Sequence, residues 1–364
     1  MKICYLSHAT NYHTIKWCNY FVNLGYEVHL ISFEEGNIYG VKVHVIKTGT
    51  NRTSSDLSKL KYLTSSKQIK NIVNKINPDI VHVHYATSYG ISCALSGIKG
   101  YFLSVWGSDI YEFPKKSILH KYILKYSLSK AGKILSTSKD MKKETEKLTK
   151  KNIYVTPFGV DTKEFKKIYN KSENKDKFVI GLIKSLDPKY GIKDLLQAFK
   201  LFVENNPNIK CELRIAGDGK EKEELIKLAK KLGISEKVVW LGFIQKEKVI
   251  EELNKFDICV IPSLIESFGV SAVEAQACEV PVIVTNVGGL PEATNPNISS
   301  LVVKPNNPKE IYEKIQYLYE NKEIRRTMGR KGREYVKKNF ELKDNFKYID
   351  DIYKEYLKKK KFGE

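Results

Sequence analysis

Residues 262–293 read PSLIESFGVSAVEAQACEVPVIVTNVGGLPEA. The apolar run ICVIP (258–262) leads into them and ends in a polar loop holding Glu266, Ser267, Phe268 and Gly269. From Gly269 the small and apolar residues fit a helix that carries Glu274, and PVIVT (281–285) is the next strand-like run. Strand, helix and strand in this order predict a parallel crossover. Gly269 permits close approach to the backbone, and the first amides of the helix, near Gly269–Ala272, face outward and favour an anion. Glu266 and Glu274 stand eight residues apart, ~12 Å and ~80° on one helix if it reached both. That spacing suits two separate parts of one extended ligand and is too long for a shared proton.

The same alternation extends in both directions. After the block comes SLVVK (300–304), and before it FVIGLI (178–183), CELRIA (211–216) and VVWLG (238–242), with helical patterns between them. The first half has KICYLS (2–7), EVHLIS (27–32), VKVHVI (41–46), DIVHVH (79–84), YFLSV (101–105), KILST (133–137) and NIYVT (152–156), again separated by helical periodicity, including 57–76. Apolar strands alternating with helices predict parallel sheets covered on both faces. The fold class is therefore α/β, with two doubly wound parallel-sheet domains. Segment 157–176 is turn-like and then polar, as an interdomain linker would be. The boundaries read as 1–168, 176–340 and a helical tail, 341–364, in a helix-prone stretch from about 323 to 360. Ligands of such sheets bind beyond the carboxyl ends of the strands, and two domains facing a central cleft would bury one between them.

The chain has 364 residues, with 42% hydrophobic and 29% charged, the balance of a globular protein. No apolar run is long enough to span a bilayer. The N-terminal stretch lacks a long apolar segment followed by a cleavage site, so a cytoplasmic chain is the expectation. Six scattered cysteines without a C-x-x-C pair read as reduced core residues, and no metal site is expected from them. The net charge of +20 is uneven: residues 1–175 hold 28 Lys+Arg against 13 Asp+Glu, and 176–364 hold 34 against 29. A basic first half suits an anionic partner. It carries no recognisable nucleic-acid module, so nucleic acid is not the expected partner. Neither candidate first strand is followed by G-x-G-x-x-G, which argues against a dehydrogenase.

The E-x7-E block ESFGVSAVEAQA with PVIVTNVGGLPE resembles the donor-site signature of retaining glycosyltransferases of family 4, which have the GT-B fold. GYEVHLIS, PDIVHVH, PFGVDTKEF, RIAGDG, VVWLGFI and NNPKEIYEKI fall at the corresponding places. The resemblance implies a nucleotide-sugar donor bound mostly by the C-terminal domain. Glu274 would hold the ribose hydroxyls, Glu266 the transferred sugar, and the region Ser267–Phe268–Gly269–Val270 sugar and diphosphate. It also implies a C-terminal helix crossing back to the first domain, and domain closure with a hinge near 168–176.

The charge developing on the leaving diphosphate must be stabilised. The chain contains no Asp-x-Asp to hold a divalent metal, so no metal or other cofactor is expected and Lys184 and Lys189 become the catalytic cations. In the family an arginine usually stands at position 184 and a lysine directly before the following glycine. Here Lys184 and Tyr190 occupy those places, and lysine lacks arginine's bidentate fork. Gly217, Asp218 and Gly219 close a strand where a loop would border the nucleotide. No carboxylate nucleophile of the kind retaining glycosidases use is evident, so front-face transfer is expected, with the leaving phosphate taking the acceptor's proton.

The first domain should hold a saccharide or lipid-linked acceptor, and its candidate residues are His13, Trp106 and Asp109. Its first loop, SHATNYHT (7–14), has no glycine, and Trp106 stands where many relatives carry a histidine. Segment 114–133 spaces Ile118, Tyr122, Leu124 or Lys125, and Leu128 helically among lysines, which suits an anionic membrane surface, here the inner face of the cell membrane. The tail KKKKF (358–362) would add to that attraction. An alternative reading is a catalytically degraded sugar-nucleotide or polyanion binder.

Overall fold

Each of the thirteen apolar runs forms a strand in the computed structural model, which describes residues 1–46, 65–168 and 177–361. The chain divides into two compact units, Met1–Pro157 with Asn345–Glu364 and Phe158–Asp344. In the first unit, β1 (Lys2–Leu6), β2 (Glu27–Ser32), β3 (Val41–Val45), β4 (Ile80–His84), β5 (Phe102–Val105), β6 (Lys133–Ser136) and β7 (Ile153–Val155) form one sheet. Its order is β3-β2-β1-β4-β5-β6-β7, and every pair is parallel. In the second unit, β8 (Phe178–Ile183), β9 (Cys211–Ala216), β10 (Val238–Gly242), β11 (Ile258–Ile261), β12 (Val282–Thr285) and β13 (Ser300–Val303) follow the order β10-β9-β8-β11-β12-β13, also parallel. The winding reverses between β1 and β4 and between β8 and β11. Two strand ends diverge there without a crossing helix, which leaves a crevice at the carboxyl edge.

Helices cover both faces, as the near-continuous apolar strands require. In the second unit Leu195, Phe199 and Ile311 pack with Ile180 and Leu213 on one face. Val273, Ala277 and Val336 pack with Val179 and Cys259 on the other. All six cysteines are buried free thiols.

The helix-prone tail departs from one continuous helix. It forms Lys322–Asn339 and Leu342–Lys361, interrupted at Phe340 and Glu341. Val160 pairs with this break: its N–H donates to Phe340 O at 2.9 Å, and its carbonyl accepts from Leu342 N–H at 3.0 Å. Phe340 meanwhile packs edge-on against Phe268, ring centroids 5.1 Å apart. A strand-like pairing of this kind is incompatible with continuing i→i−4 hydrogen bonds through the same residues. Val160 and Phe165 are core residues of the second unit. Segment 158–168, expected to close the first domain, therefore packs with the second. The last helix lays Tyr353 between Tyr5, His82 and Phe102 of the first sheet, so the tail returns to the first unit. Residues 169–176, most of the expected hinge, lie outside the described residues, as do 57–64 of the expected first-half helix and Phe362.

Candidate functional site

The carboxyl edge between β8 and β11 holds a buried ion pair. Lys184 is the first residue beyond β8, and Glu266 sits in the loop between β11 and the helix Val270–Ala277. Lys184 Nζ lies 2.5 Å from Glu266 Oε2, with the two side chains only 13% and 8% exposed. Ser263 Oγ donates to the same oxygen at 3.3 Å. The Tyr190 ring lies on another side of the ammonium, 4.4 Å from Nζ. Burial works against the ammonium charge, but Glu266, Tyr190 and Glu274 outweigh it and hold Lys184 above the ordinary lysine value. The edge therefore carries a desolvated cation held by a carboxylate and an aromatic ring.

Two glycines in neighbouring loops allow these positions. Gly217 (φ +143°) follows β9, and a Cβ there would come within 1.8 Å of the Lys184 carbonyl. Gly288 (φ +51°) follows β12, and a Cβ there would come within 1.7 Å of the Glu266 carbonyl. Both combine a left-handed backbone with a close approach, so only glycine fits. Gly217 thus has a packing role that accounts for it. Leu186 N–H donates to Asp218 O at 3.0 Å, fixing the loop after β8 to the loop after β9. Asp218 itself is exposed, and its carboxyl is held below the usual range by the Gly219 amide and then Lys222.

The remaining sequence candidates in this unit occupy the same edge. Gly269 (φ +102°) precedes the helix Val270–Ala277. Phe268 turns its ring into the core, 1% exposed, so its side chain is not presented at the edge. Ser267, Val270 and Glu274 are partly exposed, and Glu274 is near enough to support the Lys184 charge. Lys189 lies on the turn Pro188–Tyr190, its Nζ 5.5 Å from the Tyr190 ring centre. The sequence reading missed Ser263 and Ser271. Ser271 Oγ is buried without a hydrogen-bond partner among the described residues. A hydroxyl in the first turn of a helix that opens on a ligand edge is the signal that would have singled it out.

The first unit presents a different edge between β1 and β4. Asn11 caps the helix Tyr12–Asn23, accepting from the N–H groups of His13 and Thr14. His13 sits 5.9 Å from Trp106, centroid to centroid, and Trp106 stacks at 4.4 Å over His84. The carboxylate of Asp109 accepts from the backbone N–H groups of Ala86 (3.0 Å), Gly107 (2.8 Å) and Trp106 (3.2 Å). It is 1% exposed and clamps the loops after β4 and β5. Burial pushes its carboxyl up while those amides oppose the shift. Asp109 is thus a positioning group for Trp106. His8, Glu34 and Tyr89, which the sequence reading did not single out, complete this edge: His8 Nδ1 is 3.3 Å from Glu34 Oε1 and 3.4 Å from the Tyr89 hydroxyl.

The expected stripe on the helix Ile118–Lys130 does not form one face. Leu124 and Leu128 are buried, whereas Ile118 (76%), Leu119 (66%) and Tyr122 (66%) are exposed. The first pair faces the core and the other three face outward, because the helical repeat separates them. No Asp or Glu occurs from Phe113 to Lys139, a span with seven lysines. Among the described residues no helix is long and apolar enough to cross a membrane.

Two doubly wound parallel sheets, each open at a switch point, with a tail helix returning to the first, define the GT-B architecture. The solved structures most like it include sucrose-phosphate synthase from Thermosynechococcus elongatus, with a TM-score of 0.84 at 18% identity over 98% of both chains. Another is Anabaena HepE in complex with UDP, with a TM-score of 0.79 at 17% identity over 97% of this chain and 99% of that one. The sequence matches Glycosyl transferases group 1 over residues 161–335 and Glycosyl transferase 4-like over residues 2–138. An uncharacterized glycosyltransferase of Methanocaldococcus jannaschii is 31% identical over 319 residues, covering 86% of this chain and 85% of its own. N-acetyl-alpha-D-glucosaminyl L-malate synthase of Bacillus anthracis is 26% identical over 93% of this chain and 92% of its own. The chain belongs to the group 1 glycosyltransferases, family 4, and is a glycosyltransferase.

Proposed function

We propose that this glycosyltransferase is retaining and metal-independent, and moves a hexosyl group from a nucleotide sugar to a saccharide or lipid-linked acceptor in glycan biosynthesis. The observation that carries this reading is the buried Lys184 ammonium at the second switch point, beside Glu266 and in range of Glu274. A nucleotide sugar has a ribose, a diphosphate and a hexose in a row. Glu274 suits the ribose hydroxyls, the amides at 269–271 and the Lys184 and Lys189 ammonium groups suit the diphosphate, and Glu266 suits a hexose hydroxyl. Gly219 and the exposed Asp218 border the nucleotide end. Similarity to a fold solved with UDP in Anabaena HepE supports a donor of this kind.

In the reaction the bond from the sugar's anomeric carbon to the phosphate oxygen breaks as the acceptor oxygen bonds the same face of that carbon. The acceptor's proton passes to the leaving phosphate, so no protein base is needed and the configuration is kept. Lys184 and Lys189 balance the negative charge that grows on the diphosphate, which takes the place of a metal ion. His13 and Trp106 receive the acceptor on the first unit, with the indole stacking on a sugar ring. Ile118, Leu119 and Tyr122 among lysines suit contact with anionic lipid at the inner membrane face. Leu119→Glu with Tyr122→Glu should then abolish co-sedimentation with phosphatidylglycerol vesicles.

A thermal-shift screen against UDP-, GDP- and ADP-sugars, with and without EDTA, tests the donor reading. One nucleotide class should raise the melting temperature by mass action, unchanged by EDTA and lost in Glu274→Ala. No shift with any donor would overturn it in favour of a polyanion binder, and a shift without transfer activity would mark a degraded sugar-nucleotide binder. Retention is read from the anomeric configuration of the product by NMR.

A further inference from the structure

We infer that Tyr190 is a positioning residue for the diphosphate. Its ring is the fixed face on which the Lys184 ammonium moves from Glu266 to the phosphate when a donor binds. The inference rests on the donor reading above and deepens it at the same site.

Lysine carries a point charge on a four-carbon stem, with no planar fork to set its direction. At the β8–β11 edge something must therefore aim it. Among the described residues, Nζ lies 2.5 Å from Glu266 Oε2 and 4.4 Å from the Tyr190 ring centre, and Glu274 adds to its charge support. On the donor reading a sugar hydroxyl competes for the Glu266 carboxylate and the diphosphate offers the ammonium a stronger anionic partner, so the lysine shifts from Glu266 toward the phosphate. Ser263 Oγ already donates to the same carboxylate oxygen. It leaves Glu266 one hydrogen-bond donor when the lysine departs.

Tyr190 is the neighbour that stays. The turn that carries it is fixed to the loop of Glu266: the N–H groups of Leu264 and Ile265 both donate to Lys189 O, at 2.8 and 3.1 Å. Tyr190 N–H bonds Asp187 O at 2.9 Å, and the ring packs partly against the core of the second unit. A cation over an aromatic face is attracted in any direction across that face, so the ring restrains the ammonium without fixing its hydrogen bonds. The same ring lies 5.5 Å from Lys189 Nζ and so restrains the second cation of the site as well. Positions 184 and 190 are the two in the second unit at which the chain departs from the pattern it resembles, and the geometry joins them at one site.

Isothermal titration of UDP, GDP and ADP, and of the matching nucleosides, into full-length protein tests this. Tyr190→Phe keeps the ring and should leave diphosphate affinity within twofold. Tyr190→Leu should lower diphosphate affinity about tenfold, the size of a desolvated cation–π contact, with nucleoside affinity unchanged. In a Lys184→Met background the Tyr190→Leu effect should shrink to under threefold, the mark of coupled residues. Equal diphosphate affinity in Tyr190→Leu and the parent overturns the inference. So does an equal loss for diphosphate and nucleoside, which a purely structural role would give, and so does an undiminished effect in the Lys184→Met background. If the parent protein binds none of the three diphosphates, the donor reading fails and the inference falls with it. The other outcomes leave the donor reading standing.

Discussion

The carboxyl edges at the two switch points are equivalent places in two sheets of the same winding, yet they gather opposite chemistry. Between β8 and β11 a lysine and a glutamate meet in a buried pair, flanked by Ser263 and Tyr190. Between β1 and β4 the edge is aromatic and imidazole-rich, and its buried carboxylate, Asp109, is committed to three backbone amides. One edge sets a cation and a carboxylate against each other. The other uses charge to hold its own loops and presents rings. The winding supplies the crevice, and the side chains decide what it can bind.

Removing charge from each edge should break the comparison most sharply at the second. Lys184→Met leaves Glu266 buried beside a neutral side chain, and loss of one partner of such a pair costs about 4 kcal/mol. Denaturant unfolding should show that loss, and transfer should fall about 10³-fold. The double variant Lys184→Met/Glu266→Leu should regain most of the stability and none of the activity.

The first unit should instead be vulnerable to acid. Burial pushes the His82 imidazole down to about 3 from 6.5, and His84 shifts the same way, by burial first and then by His82 and His13. The unfolded chain then binds more protons than the folded one below 6.5. The stabilisation is present above about 6.5 and is lost as pH falls toward 3, with about 3 kcal/mol of it lost for His82 by pH 4.5. Urea unfolding followed at pH 7 and pH 4.5 should show the decline, and His82→Gln should reduce it.

Asp109→Asn keeps the shape of the clamp and removes its charge. Its single oxygen can still accept from Gly107 and Trp106, but its NH2 then faces the Ala86 N–H, donor against donor, and a loss of about 2 kcal/mol is expected, read as a lower melting temperature. Donor affinity should not change, since the residue belongs to the other edge. Trp106→Ala is the gentlest change. It should raise the acceptor KM about tenfold, or about 1.4 kcal/mol, while the donor KM stays within twofold. A matching rise in donor KM would show that the two edges do not divide the work as proposed.

Much of this organisation was legible in the chain. Each strand run lies within one residue of its expected place, because buried parallel strands are short, nearly continuous apolar runs and need no long-range information to recognise. Glu266, Glu274 and Lys184 stood out by their position beside such runs. Asp109 was legible as a candidate, but its three amide partners were not, since which amides surround a carboxylate depends on loops from two strands. The membrane stripe was misjudged because spacing alone does not say which side of a helix meets the core. Ser263 and His8 gave no local signal beyond their type.

The sequence by itself determined the alternation of strands and helices, the two-sheet class, the charge imbalance between the halves and the spacing of the two glutamates. All of these are local or additive properties. Only the tertiary structure decided that Lys184 meets Glu266 across 82 residues of chain. It also decided that Tyr190 faces the same ammonium, that Val160 splits the tail helix at Phe340, and that Asp109 closes on backbone. The reason is geometric. Strand order brings distant loops to one edge, and a side chain's partners there are set by the whole sheet, not by its neighbours in the chain.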